Sequence, residues 1–177
     1  MPAIPCSLDG GRTLTDVVDL HPGVAVLAPL LGTWSGRGAG DYPTIEPFGY
    51  LEEVTFDHIG KPFLIYRQRT KATDDGRPLH AETGYLRAPS PDRVEFVLAH
   101  PTGVTEIQEG TLSSTGPTME LELTATAIGR TSSAKEVTAL SRSIRVEGDQ
   151  LTYTVRMGAV GQPLQDHLTA TLHRTQA

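Results

Sequence analysis

The chain has 177 residues, the size of one domain, and its 38% hydrophobic and 20% charged residues rule out a disordered tail. Fifteen Lys and Arg stand against twenty-one Asp and Glu, a net charge of −6, so there is no basic surplus to neutralise phosphates and no nucleic-acid partner is expected. The longest mainly apolar stretch, Pro22 to Leu31, is too short to cross a bilayer as a helix, so no membrane partner is expected.

Residues 1–20 carry prolines, paired glycines and scattered charge, and read as a flexible N-terminal arm. The opening MPAIPCSLDGGR has neither a basic segment nor an apolar core, so it does not read as a signal peptide. Cys6 is the single cysteine, which excludes an intramolecular disulfide and suits a reducing cytoplasm. In HPGVAVLAPLLGTW, Val24, Val26, Leu27, Leu30 and Leu31 cluster at helix-like spacing, but Pro29 limits the helix to a turn or two. A short helical plug at one end of a barrel is a use for such a piece.

From Trp34 onward the apolar period becomes two, the mark of strands with one buried face. KPFLIYRQR is apolar on both faces at its start. Val94, Phe96 and Leu98 share a face, as do Met119, Leu121, Leu123 and Ala125. Ile144 and Val146 lead into a Gly148-Asp149 turn, and Leu151, Tyr153, Val155 and Met157 return from it, a hairpin pattern. Turn residues recur at Ile59–Pro62, Asp74–Pro78, Ala88–Asp92 and Thr115–Pro117. Roughly ten strands with no long amphipathic helix between them predict an all-β fold, an antiparallel barrel over residues 21–177 that can hold one small ligand.

The residue types taken alone do not specify a chemistry. The glycine-rich run GTWSGRGAGDYPT lacks the Gly-Lys-Ser/Thr ending of a phosphate loop and reads as a bent first strand, with Trp34 filling the barrel floor. No serine sits in a nucleophile elbow. Neighbours on a strand face opposite ways, so Glu52 and Glu53 cannot form an acid–base pair, and Asp74-Asp75 reads as a solvated turn. None of the six histidines has the tight spacing of a zinc motif. His58, His100 and His173 read as surface or turn residues, and His80 is balanced between pocket and surface.

The run Gly32-Thr33-Trp34-Ser35-Gly36-Arg37-Gly38 matches the GxWxGxG hallmark of the nitrobindin family, and Tyr42-Pro43-Thr44 continues the match. FGYLEE, LHAETGYLR, GRTSSAKEV and QPLQDHLTATLHR follow in order, so the chain resembles a nitrobindin from about Pro22 to Arg174. That resemblance implies a ten-stranded barrel, similar in outline to fatty-acid-binding proteins, with heme b near its mouth. It implies His167 as the iron ligand and so the catalytic residue, Thr44 and Lys135 as heme-contacting positions, and a distal side near Leu79, His80 and Met157.

The function it implies is isomerisation of peroxynitrite to nitrate, with nitric oxide as a second small ligand. Two alternatives stand beside it. One is a heme-free barrel for a fatty acid or other apolar molecule, with Arg67, Arg142 or Arg156 meeting a carboxylate. The other is a nitric oxide sensor or carrier without turnover. An exposed sheet face would suit a homodimer, which nothing in the sequence specifies. Strict alternation sets His167 with Thr169, Thr171 and His173, away from Leu168, Ala170 and Leu172. A β-bulge near His167 would resolve this, as would a barrel mouth that is more polar than the floor.

Overall fold

A computed structural model describes residues 18–175, so the N-terminal arm, Cys6 included, lies almost wholly outside the described residues. A 3-10 helix, Pro22–Leu30, leads into ten strands: β1 Gly32–Tyr42, β2 Ile45–Asp57, β3 Leu64–Ala72, β4 Pro78–Ser90, β5 Arg93–Ala99, β6 Val104–Thr115, β7 Thr118–Arg130, β8 Val137–Glu147, β9 Gln150–Ala159 and β10 Gln165–Arg174. Each strand pairs antiparallel with its sequence neighbours, and β1 pairs with β10 to close the barrel. The fold is the all-β barrel with an N-terminal helical plug that the period-two pattern predicts.

The helix buries Val24, Leu27 and Leu30, every third residue. That is the period of a 3-10 helix, in which residues three apart eclipse. Trp34, fully buried, donates from Nε1 to the Leu30 carbonyl at 2.7 Å and so fixes the plug to the first strand. The Arg174 guanidinium lies over the Trp34 ring, 4.1 Å from its centroid, and donates to the Pro29 and Leu31 carbonyls. First strand, last strand and plug thus share one contact set.

Up-and-down connectivity puts the β2–β3, β4–β5, β6–β7 and β8–β9 connections at the plug end and the other five at the open end. Inward-facing rows change character between the two ends. On β3 they run Leu64, Tyr66, Gln68, Thr70 toward the opening, and on β2 Phe56, Val54, Glu52 and Tyr50. On β8 they run Val146, Ile144, Arg142. The floor is therefore a dry apolar core and the upper interior is polar.

The glycines of β1 serve that interior. Gly38 and Gly40 face inward, and a Cβ at Gly38 would overlap the Tyr50 ring, one at Gly40 the ring of Phe48. The first strand is glycine-rich because aromatic rings from β2 lie across it.

Candidate functional site

At the open end β10 carries a bulge. Asp166 pairs with Arg156 and Leu168 with Val155, which leaves His167 as an extra residue with no partner on β9. In such a bulge the alternation of faces is broken. His167 is half-buried and lines a pocket of about 450 Å³ with Gly40, Phe48, Pro47 and Leu168. Its Nδ1 lies 3.1 Å from the Asp41 carbonyl oxygen. A carbonyl only accepts, so Nδ1 carries the proton, and in the neutral ring Nε2 is left with its lone pair. Burial lowers the His167 pKa, partly offset by the bond to Asp41, which favours that neutral form. The Tyr42 ring meets the imidazole edge-on at 5.2 Å between centroids, and its hydroxyl accepts from the Ala159 amide at 2.8 Å.

The other sequence-derived candidates are more dispersed. Thr44 sits exposed in the β1–β2 turn and Lys135 exposed in the β7–β8 loop, both at the open end but outside the walls of this pocket. His80 is half-buried on β4, four strands from β10 around the barrel by way of β1, and also stands outside the pocket walls. Its Nε2 lies 3.1 Å from His100 Nδ1, and the two rings stack. Of the three arginines proposed for a carboxylate, Arg142 is buried, whereas Arg67 and Arg156 are exposed.

Two features are not visible in the sequence pattern. His100, which reads as a surface or turn residue, does stand in the β5–β6 turn, but its side chain is only 9% exposed and places Nε2 2.6 Å from Glu106 Oε1. The loop after β5 turns it into the barrel, which apolar periodicity does not encode. Glu52, Glu82 and Glu106 are all buried, with Arg142 donating to Glu82 at 2.9 Å, and Glu52 accepting from Gln68 at 3.0 Å and Tyr153 at 2.8 Å. Alternation does place Glu82 and Glu52 on inner rows, but their charge reads as surface.

Residues 23–174 match the family model described as the THAP4-like, heme-binding beta-barrel domain. This chain belongs to that family. It is the family whose resemblance, as nitrobindin, is carried by the GxWxGxG strand. Among curated members of the THAP4-like heme-binding barrels, a protein named peroxynitrite isomerase 1 from Mycolicibacterium paratuberculosis is 67% identical over 156 residues, 88% of this chain and 97% of that protein. One of the same name from Mycobacterium tuberculosis is 63% identical over 159 residues, 88% of this chain and 97% of that protein. The crystal structure of Rv2717c from M. tuberculosis superposes with a TM-score of 0.87 at 61% identity, covering 89% of this chain and all of that one.

The residues of this heme-binding barrel fit the group. His167 presents an unprotonated Nε2 with no hydrogen-bond partner among the described residues, and Phe48, Pro47 and Leu168 give an apolar wall beside it. A neutral imidazole whose other nitrogen donates to a backbone carbonyl is the donor that heme iron takes.

Proposed function

We propose that this chain is a heme b protein that isomerises peroxynitrite to nitrate and binds nitric oxide, with residues 21–177 as the working unit, in a cytoplasmic setting. The observation that carries the reading is the bulge that turns His167 inward with Nδ1 tied to Asp41. The names of close relatives over nearly their full length support the same activity. The described residues hold no helix long and apolar enough to cross a membrane.

When bound, heme supplies an iron centre that assists cleavage of the peroxynitrite O–O bond and return of the oxygen to nitrogen, a rearrangement with no net change in atoms or electrons. The chain's own residues prepare the site. The Asp41 carbonyl holds one tautomer and one ring orientation of His167. Tyr42 braces the ring from its edge. Phe48 and Leu168 line one side of it with apolar surface. Thr44 and Lys135, on loops at the open end, are our candidates for polar contacts to the heme periphery, Lys135 as a point charge for a propionate. The distal role that the resemblance implies for His80 is not part of this reading, because His80 stands outside the walls of the His167 pocket and against His100 and Glu82. A heme-free barrel for an apolar ligand is not favoured, because Arg142, the buried guanidinium it would need, is already engaged by Glu82.

The test is heme titration followed by the Soret band, together with peroxynitrite decay by stopped flow, on wild type and His167→Ala. One heme per chain, lost in the variant, with faster decay only in the loaded wild type, is the expected result. Equal binding by the variant would sink the ligand assignment. Normal loading without faster decay would leave a sensor or carrier.

A further inference from the structure

The buried charged side chains among the described residues are three carboxylates, Glu52, Glu82 and Glu106, and one guanidinium, Arg142. Buried anions need compensation by partners, protons or a cation. Within this group, β4 carries His80 and Glu82 two residues apart and so on one face. The β5–β6 loop brings His100 against them.

We infer that His80, Glu82 and His100 form a binding site for a divalent transition-metal ion of the zinc class, separate from the His167 pocket. One ligand atom from each lies within 4.8 Å of the others. His80 Nε2 is 3.1 Å from His100 Nδ1 and 3.9 Å from Glu82 Oε1. Bonds of about 2.0–2.1 Å to a tetrahedral zinc set its ligands roughly 3.3–3.4 Å apart, so small side-chain rotations admit the ion. Two imidazoles and one carboxylate are a donor set that zinc takes while keeping a fourth position open. His80, with 31% of its side chain exposed, gives a route of entry from the open end.

The surrounding groups already hold the ligands in the orientation a metal requires. Glu106 Oε1 lies 2.6 Å from His100 Nε2, and the carboxylate charge beside that nitrogen favours the tautomer with its proton on Nε2, which leaves the Nδ1 lone pair on the side of His80. Carboxylates behind metal-bound histidines play this part. Arg142 Nη2 grips Glu82 through Oε2 at 2.9 Å and more loosely through Oε1 at 3.3 Å, so Oε1 is the atom free to turn to a cation. Gln108 in turn donates to Glu106 Oε2.

Calorimetric titration of zinc into the full chain, combined with X-ray absorption at the zinc edge, tests the site. We expect one saturable zinc per chain with two imidazoles in its first shell. His80→Ala and His100→Gln should lose it by more than about 100-fold, and Glu106→Gln should weaken it by about 10–100-fold. His167→Ala should bind as the wild type does, which separates this site from the heme reading. His80 is half-exposed, so its variant folds even if the His100 variant does not, and circular dichroism checks both. Absence of saturable binding, one-to-one binding that survives in His80→Ala, or an absorption edge without imidazole would each overturn the site.

Discussion

Tyr42 meets His167 edge-on and, through its hydroxyl, binds both the amide and the carbonyl of Ala159, so one side chain from β1 ties β9 to the ring on β10. Tyr42→Phe keeps the ring contact and removes the acceptor of a buried amide. An unsatisfied buried donor costs about 1–3 kcal/mol. Urea unfolding should show that loss, while the Soret position stays that of the wild type because His167 keeps its bond to Asp41. A shifted Soret band would mean that the hydroxyl itself orients the imidazole.

Glu52 makes the barrel's stability fall as pH rises. Burial pushes its carboxyl up from 4.5 to about 7, against the pull of hydrogen bonds from Tyr153 and Gln68. A carboxyl raised on folding gives stability that is fully present below the unfolded value, near 4.5, and is lost as pH climbs to about 7. At one pKa unit per 1.36 kcal/mol, this group alone accounts for about 3 kcal/mol across that window. Glu52→Gln should therefore gain on the wild type as pH rises from 5 to 8. Parallel stability profiles for the two proteins would refute the assignment.

His167 has the opposite dependence. Burial depresses its pKa below the ordinary 6.5, so the unfolded chain takes up the proton first. Its contribution is complete above pH 6.5 and is lost as pH falls toward the folded value. Because a proton competes for Nε2, heme affinity should stay level from pH 8 to about 6.5 and decline only in more acid solution. Soret titrations at stepped pH check this. A decline that begins above pH 6.5 would mean that the imidazole is not kept neutral by burial.

The turn from β9 to β10 stores strain. Val160 has φ of 46° and Gly161 φ of 80°, and the Gln162 amide donates to the Ala159 carbonyl at 2.9 Å. Two left-handed central residues make this a type I′ turn, which favours Asn or Gly at the first position. A β-branched residue there costs about 1–2 kcal/mol. Val160→Asn should raise the melting temperature by a few degrees, a gain of about 1 kcal/mol, and leave heme loading unchanged. A fall in melting temperature would show that the Val160 side chain contributes packing that outweighs the strain.

Closure, strand number and the plug were legible because a barrel buries every second residue, and that period survives in Val94, Phe96 and Leu98 and in Met119, Leu121 and Leu123. His167 was legible as a candidate only through the family resemblance. Its own alternation points outward, and the bulge that brings it inward is a matter of strand pairing that no local pattern records. His100 was legible as a turn residue, which it is, but the burial of its side chain depends on how that turn folds back on the barrel and leaves no mark in the pattern. The buried glutamates were not singled out at all, because charge normally marks the outer face, and here the upper interior is where charge collects.

The seam of β1 and β10 joins residues more than a hundred positions apart, as with Gly40 and Leu168. Contacts of such separation carry the largest loop-closure cost and form late. His167, Gly40 and Leu168 all stand at the open end of that seam, and Phe48 of β2 packs beside it. A ligand gripped there acts as a clasp between the two ends of the barrel's chain. Loading the site and shutting the cylinder then become one event, and amide exchange along Gly36–Gly40 is where that coupling would register as added protection.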